Sequence, residues 1–136
     1  MKKKTIEEYV ETIYVLEKRE GSARNTDIAE GMGVSPPTVT EILGKLSREG
    51  YVEHEPYRGV RLTAKGLILG RGLMKRHAVI ADFLEILDVE REQAEIDACQ
   101  IEHHVSDGSA KQLEMFVRFV TGAPEKPRWV EHFRHF

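Results

Sequence analysis

The stretch from Thr26 to Thr63 constrains this chain more than any other. A short helical run around Thr26–Gly31 leads into a turn through Met32-Gly33-Val34, then into a helix from about Ser35 to Glu49. Ala29 is small where two helices must approach closely, and Gly33 permits the positive φ of a tight turn. Pro36 and Pro37 suit the first turn of a helix, where a missing N–H costs nothing. Gly50 stops that helix and the pattern changes. Tyr51-Val52-Glu53-His54 and Val60-Arg61-Leu62-Thr63 read as short strands, and Glu55-Pro56-Tyr57-Arg58-Gly59 carries the Pro and Gly of a turn between them.

A further helix is predicted ahead of this stretch, over residues 5–19. Thr5 reads as its N-cap with Glu8 as capping-box partner, while Ile6, Tyr9, Val10, Ile13 and Leu16 share one face. Helix, helix, turn, helix and hairpin is the order of a winged helix-turn-helix. Ile28, Val34, Val39, Ile42 and Leu46 are its expected buried faces. That leaves Ser35, Pro36, Pro37, Thr38, Thr40, Glu41 and Lys45 on the surface of the helix that would enter a major groove. Lys45, Arg48, Arg58 and Arg61 can neutralise phosphates beside it. Ser and Thr contact several bases, so no base identity follows.

Beyond Thr63 the reading is helical: a long run to about Leu87, with Gly66, Gly70 and Gly72 weakening its first half, then helices over Arg91–Val105 and Ser109–Thr121. Gly122-Ala123-Pro124 breaks the chain before a tail in which Trp129, Phe133 and Phe136 are expected to dock a short helix. The fold class is therefore mainly α with a small β-hairpin. Residues 1–63 form a DNA-binding domain, and residues 64–136 form a linking helix and a helical domain.

Charge divides the same way. Residues 1–76 carry a net +3 and residues 77–136 a net −6, which suits a front half that meets phosphates and a back half with another task. No apolar run approaches the roughly 20 residues of a membrane helix, and residues 5–11 are too acidic for the core of a secretory signal. Cys99 is the only cysteine, so no intrachain disulfide can form, and a cytoplasmic location is expected.

In the back half, Cys99, Glu102 and His103 stand at i, i+3 and i+4, which on a helix places three metal-binding side-chain types on one face. Glu8 and Glu11 form a second i, i+3 pair, and His77 lies midway along the linking helix. Each has a bland alternative: Glu8 as a cap, Glu11 as a solvated charge, His77 as a surface or core histidine, Cys99 as a small buried hydrophobe.

With Ile101-Glu102-His103-His104 added to the front half, the chain resembles the DtxR/MntR family of metal-dependent repressors over nearly its whole length. Thr5–Tyr14 looks like the family's first helix, Asp27–Leu46 its helix-turn-helix, Tyr57-Arg58-Gly59 its wing and Arg76-His77 its linking helix. The resemblance implies that Glu8, Glu11, His77, Cys99, Glu102 and His103 hold Fe(II) or Mn(II), with as many as two ions per subunit. It implies further that the Glu11 and Glu102 positions can bridge ions and that the Cys99 carbonyl can also ligate. His104 is expected to stand outside the ligand set, and His132 and His135 match no family ligand. Manganese sensors of the family carry a carboxylate where this chain has Cys99, whereas iron sensors carry Cys there and Met where this chain has Glu11. The site is a hybrid, and the soft thiolate favours iron. The SH3-like third domain of longer members is expected to be absent. A homodimer reading a palindromic operator follows, repressing iron or manganese uptake genes. No membrane or small organic substrate is implied. The alternative is a winged-helix regulator that responds to a non-metal ligand. A metalloenzyme is not expected, because no additional acid, base or nucleophile accompanies the ligands.

Overall fold

Seven helices and one hairpin follow one another in a computed structural model that describes residues 1–136. Helix α1 runs from Lys3 to Glu20. Its N-cap is Lys2, which makes no side-chain cap bond, so the capping box expected from Thr5 and Glu8 does not form. The helix begins before Thr5, and a residue already in the first turn cannot take the extended conformation of an N-cap. Helix α2 spans Asn25–Met32 and closes on Gly33 in the left-handed conformation. Helix α3 spans Pro36–Arg48, and Ser35 caps it by accepting from the Thr38 N–H. Strands β1 (Val52–Glu55) and β2 (Gly59–Leu62) pair antiparallel, Val52 opposite Leu62 and Glu55 opposite Gly59.

The hairpin does not stand alone. Ala23, in the loop after α1, exchanges both backbone hydrogen bonds with Val60 at 2.8 Å. A Cβ at Gly59 would lie 2.0 Å from the Ala23 carbonyl oxygen, and Gly59 has φ of 101°, so only glycine fits there. Ser22 adds a hydrogen bond from its hydroxyl to the Arg58 carbonyl at 2.9 Å.

Helix α4 runs from Ala64 to Ile86. Its early glycines, unfavourable by propensity, are places of close approach. A Cβ at Gly66 would sit 2.3 Å from the Tyr51 carbonyl, and one at Gly70 would sit 2.8 Å from the Tyr14 ring. Compactness divides the chain into Met1–Leu73 and Met74–Phe136. This division by compactness falls within α4, because Leu67 and Leu69 still pack on the core of the first unit.

The first unit has one core. Tyr9, Val10, Ile13 and Leu16 of α1 meet Ile28 and Ala29 of α2, Val39, Leu43 and Leu46 of α3, and Val52, Val60 and Leu62 of the hairpin. Val34 was expected here but is exposed; it sits in the turn after Gly33, and Leu43 fills the interior instead.

In the second unit, α5 spans Arg91–Ile101, α6 spans Asp107–Thr121 and α7 spans Arg128–Arg134. Helix α5 stops short of the expected Val105. Ser106 caps α6 by accepting from the Ser109 N–H at 3.2 Å. The Arg76 guanidinium donates to the carbonyls of Glu102 and Val105 at 3.4 and 2.9 Å, so it satisfies acceptors that the end of a helix leaves open. Two small apolar clusters hold these helices: Ile80, Ala81, Ala94 and Ala98, and then Ile86, Val117, Val120 and Val130.

The tail is docked differently from the expectation. Trp129, Phe133 and Phe136 are exposed, although the Trp129 ring lies 5.8 Å from that of Phe116. Val130 is the buried anchor. Arg134 donates to the Glu85 and Ile86 carbonyls at 2.7 and 3.2 Å, capping the C-terminal end of α4.

Candidate metal centre and nucleic-acid interface

The turn after α5 sets the candidate metal centre of the second unit. Glu102 occupies the C-cap of α5 in helical conformation, its N–H bonded to the Ala98 carbonyl at 3.0 Å. It therefore stays nearly one turn beyond Cys99 although the helix has ended. The Glu102 side chain is wholly buried, at 0% exposure. His103, 3% exposed in its side chain, places Nε2 3.4 Å from Glu102 Oε1. His77 of α4 places Nδ1 3.0 Å from Glu102 Oε2 and 3.7 Å from the Cys99 thiol. Four of the six sequence-predicted ligands, His77, Cys99, Glu102 and His103, thus converge within this unit.

Cys99 is exposed, and the reading of it as a small buried hydrophobe does not hold. Its helix position faces away from the Ala94 and Ala98 stripe that packs inward. His104 is also exposed.

Glu8 and Glu11 lie one turn apart on α1 of the first unit, both partly buried. Burial, and then the neighbouring Glu8 carboxylate, push the Tyr9 hydroxyl above its usual value. Glu11 Oε2 is buried with no hydrogen-bond partner. A carboxylate oxygen held away from water and donors is costly unless a cation satisfies it. The donors, carboxylate and imidazole with one thiol, are those that bind divalent first-row metals.

Two residues at this centre escaped the sequence reading. Arg76 holds the carbonyls of the 102–105 turn and pairs with Asp107, fixing the segment that carries two of the donors. Glu95 pairs with His77 Nε2. That hydrogen bond, ahead of the Arg91 charge, holds the Glu95 carboxyl below its usual value. Glu95 stands four residues before Cys99 on the same helix face, a spacing that could have revealed it.

The DNA-facing candidates lie in the first unit. Ser35, Pro36, Pro37, Thr38, Thr40, Lys45, Arg48, Arg58 and Arg61 are all exposed. Their freedom differs. Ser35 is engaged as the α3 cap. The Thr40 hydroxyl donates to the Pro36 carbonyl at 3.1 Å and accepts from Asn25 at 2.8 Å, which ties α2 to the first turn of α3. Lys45 lies 3.6 Å from Glu41, an exposed pair that holds the ammonium only weakly. Arg61 is shared between Glu17 and Glu55 at 3.6 and 3.5 Å. Arg58 sits in the turn of the hairpin beside Tyr57, which is fully exposed with φ of 66°.

Comparison with known proteins agrees with this division of labour. Residues 1–60 match the family model described as iron dependent repressor, N-terminal DNA binding domain. Residues 63–129 match the model described as iron dependent repressor, metal binding and dimerisation domain. The chain is 38% identical over 121 residues to the HTH-type transcriptional regulator MntR of Lysinibacillus sphaericus (strain C3-41), covering 89% of this chain and 87% of that protein. It is 39% identical over 115 residues to MntR of Bacillus subtilis (strain 168), covering 85% and 81%. Among solved structures, the manganese regulator SloR superposes with a TM-score of 0.72 at 36% identity. That match covers 84% of this chain, which spans about half, 54%, of the SloR chain. No helix is long and apolar enough to cross a membrane. A winged helix with a carboxylate–imidazole centre, matched by both family models, leaves one assignment: this chain belongs to the iron dependent repressor family.

Proposed function

We propose that the chain is a metal-activated transcriptional repressor that binds operator DNA as a homodimer when Fe(II) or Mn(II) is present, and that it is not an enzyme. The observation that carries this reading is the wholly buried Glu102 carboxylate between His77 and His103. Such a group is expensive to keep charged unless it serves a cation. Glu8 and Glu11 supply hard oxygen donors, and His77, Cys99, Glu102 and His103 supply the rest. A bound ion would neutralise the carboxylates that hold it.

Residues 1–63 read DNA through α3 and the hairpin, with Lys45, Arg48, Arg58 and Arg61 on phosphates and Thr38 and Thr40 nearest the bases. Residues 64–136 bind metal and dimerise. Ile96, Met115 and Phe119 leave large apolar surfaces exposed in the second unit, as an uncovered dimer face would. Two winged helices read two half-sites of a palindrome.

Metal dependence follows from linkage. An ion at 100 times its dissociation constant favours the state it binds by about 2.7 kcal/mol, roughly a hundredfold in DNA affinity if only that state binds DNA. By reciprocity DNA tightens metal binding by the same factor. The test is anaerobic. Duplexes selected from a random library with Mn(II) present are titrated by fluorescence anisotropy with Fe(II), with Mn(II) and without metal. Either metal is expected to tighten binding about a hundredfold. Equal binding by the metal-free protein would overturn the reading.

A further inference from the structure

We propose that Glu95, held by Arg91, is a positioning residue that fixes His77 for metal binding through the imidazole nitrogen facing away from the other donors. The inference rests on the metal-site reading above and adds to it a residue outside the ligand set.

An imidazole gives one nitrogen to a metal, and its other nitrogen then carries a proton that needs an acceptor. Where that acceptor is a carboxylate, it sets the tautomer and the ring plane and makes the ligating nitrogen more basic. His77 is disposed in this way. Its Nδ1 lies 3.0 Å from Glu102 Oε2 and 3.7 Å from the Cys99 thiol, on the side of the ligands. Its Nε2 meets Glu95 Oε2. The His77 side chain is only 17% exposed, so few other acceptors can reach that nitrogen.

Glu95 is not itself placed to ligate. Its second oxygen, Oε1, is paired with Arg91, which also pairs with Glu85 and Asp82. One carboxylate oxygen is thus tied to an anchored guanidinium and the other to the ring. Arg91, Glu95 and Cys99 follow one another at i, i+4 and i+8 along α5, so a single helix ridge carries the clamp, the positioning group and a ligand.

The test compares wild type, Glu95→Ala and Glu95→Gln. Mn(II) binding is read by the loss of the free-ion EPR signal, and the His77 side-chain nitrogens by long-range ¹H–¹⁵N correlation in the Cd(II)-loaded proteins. Glu95→Ala is expected to weaken Mn(II) binding by roughly 10- to 100-fold, the usual cost of losing such a partner. It should also lose the slowly exchanging Nε2 proton. Glu95→Gln keeps a carbonyl acceptor and should retain that proton and bind within about threefold of wild type. Ala binding as tightly as wild type would overturn the proposal. So would Gln falling as far as Ala, since that marks the carboxylate as a direct ligand. If wild type bound no Mn(II), the metal-site reading would fall first, and the Glu95 inference with it.

Discussion

The two units solve the burial problem in opposite ways. Met1–Leu73 gathers three helices, the hairpin and the start of α4 around one apolar core, in which Val10, Ile13, Ile28, Val39, Leu46 and Val60 show no exposure. Met74–Phe136 has two small clusters and leaves Ile96, Met115, Phe119, Trp129 and Phe133 between 48% and 67% exposed. The deepest acid of the molecule, Glu102, also belongs to the second unit. The first unit therefore derives its stability from its own interior. Under the proposed function, the second relies on partners outside its single chain: a cation at its buried carboxylate and a second copy over its apolar surface.

Five variants test that contrast, beginning with the largest effect. Ile13→Ala empties a site with no exposure, so it should cost about 2–5 kcal/mol in urea unfolding. An Ile13→Ala variant as stable as wild type would deny the first unit its self-sufficient core. The double change Met115→Glu and Phe119→Glu, one turn apart on α6, should leave helix content intact by circular dichroism. It should weaken self-association by about 100-fold or more in sedimentation equilibrium, because two central apolar anchors are lost. A stable dimer after that change would put the interface elsewhere.

Cys99 sharpens the comparison at the metal. Its exposed thiol contributes little to packing, so Cys99→Ala should remain folded while requiring about tenfold more Fe(II) and more Mn(II) for operator binding. Cys99→Glu should lose part of the Fe(II) response and keep or improve that to Mn(II). If Cys99→Ala responded to each metal as wild type does, the thiol would not be a ligand. Arg58→Ala gives the smallest effect, a reduction of about one in the salt slope per head, equal for specific and nonspecific DNA. A change in which sequences bind would mean that Arg58 reads bases.

Local chemistry made most of the first unit legible. Ser35 with Pro36 and Pro37 marks a helix start that the structure reproduces with a Ser35 cap. Gly33 and Gly50 mark turns, and both have positive φ. The misreadings arose where a local signal competed with packing. Thr5 and Glu8 have the letters of a capping box, but the helix extends past them to Lys3. Val34, expected inside, is exposed because residue 34 follows a left-handed turn that breaks the helical period. In the second unit, aromatic content pointed to burial of Trp129, Phe133 and Phe136, yet Val130 and the Arg134 cap hold that helix. Arginine capping a helix 48 residues away in sequence has no local signature. The clustering of candidate ligands in the back half was legible because Cys99, Glu102 and His103 keep helical spacing. Glu95 lies one turn before Cys99 on α5, among other acidic residues that leave only its spacing to distinguish it.

The hairpin root also bears on how such a protein can be re-engineered. Ala23 grips Val60 from both backbone groups, and Gly59 admits no side chain, so the base of the wing is locked to the loop after α1. The side chains at the tip meet no such obstacle: Pro56, Tyr57 and Arg58 are exposed and Tyr57 meets solvent on every side, although its φ of 66° disfavours proline and β-branched residues there. Diversity is therefore tolerated in one place and forbidden a residue away. A library randomised at positions 56 and 58, with 57 kept to residues that accept a positive φ, could tune grip on the sugar-phosphate chain over many variants without disturbing the fold. A single alanine at position 59 would force the bridge to Ala23 apart, and the cost would fall on the anchorage of the wing.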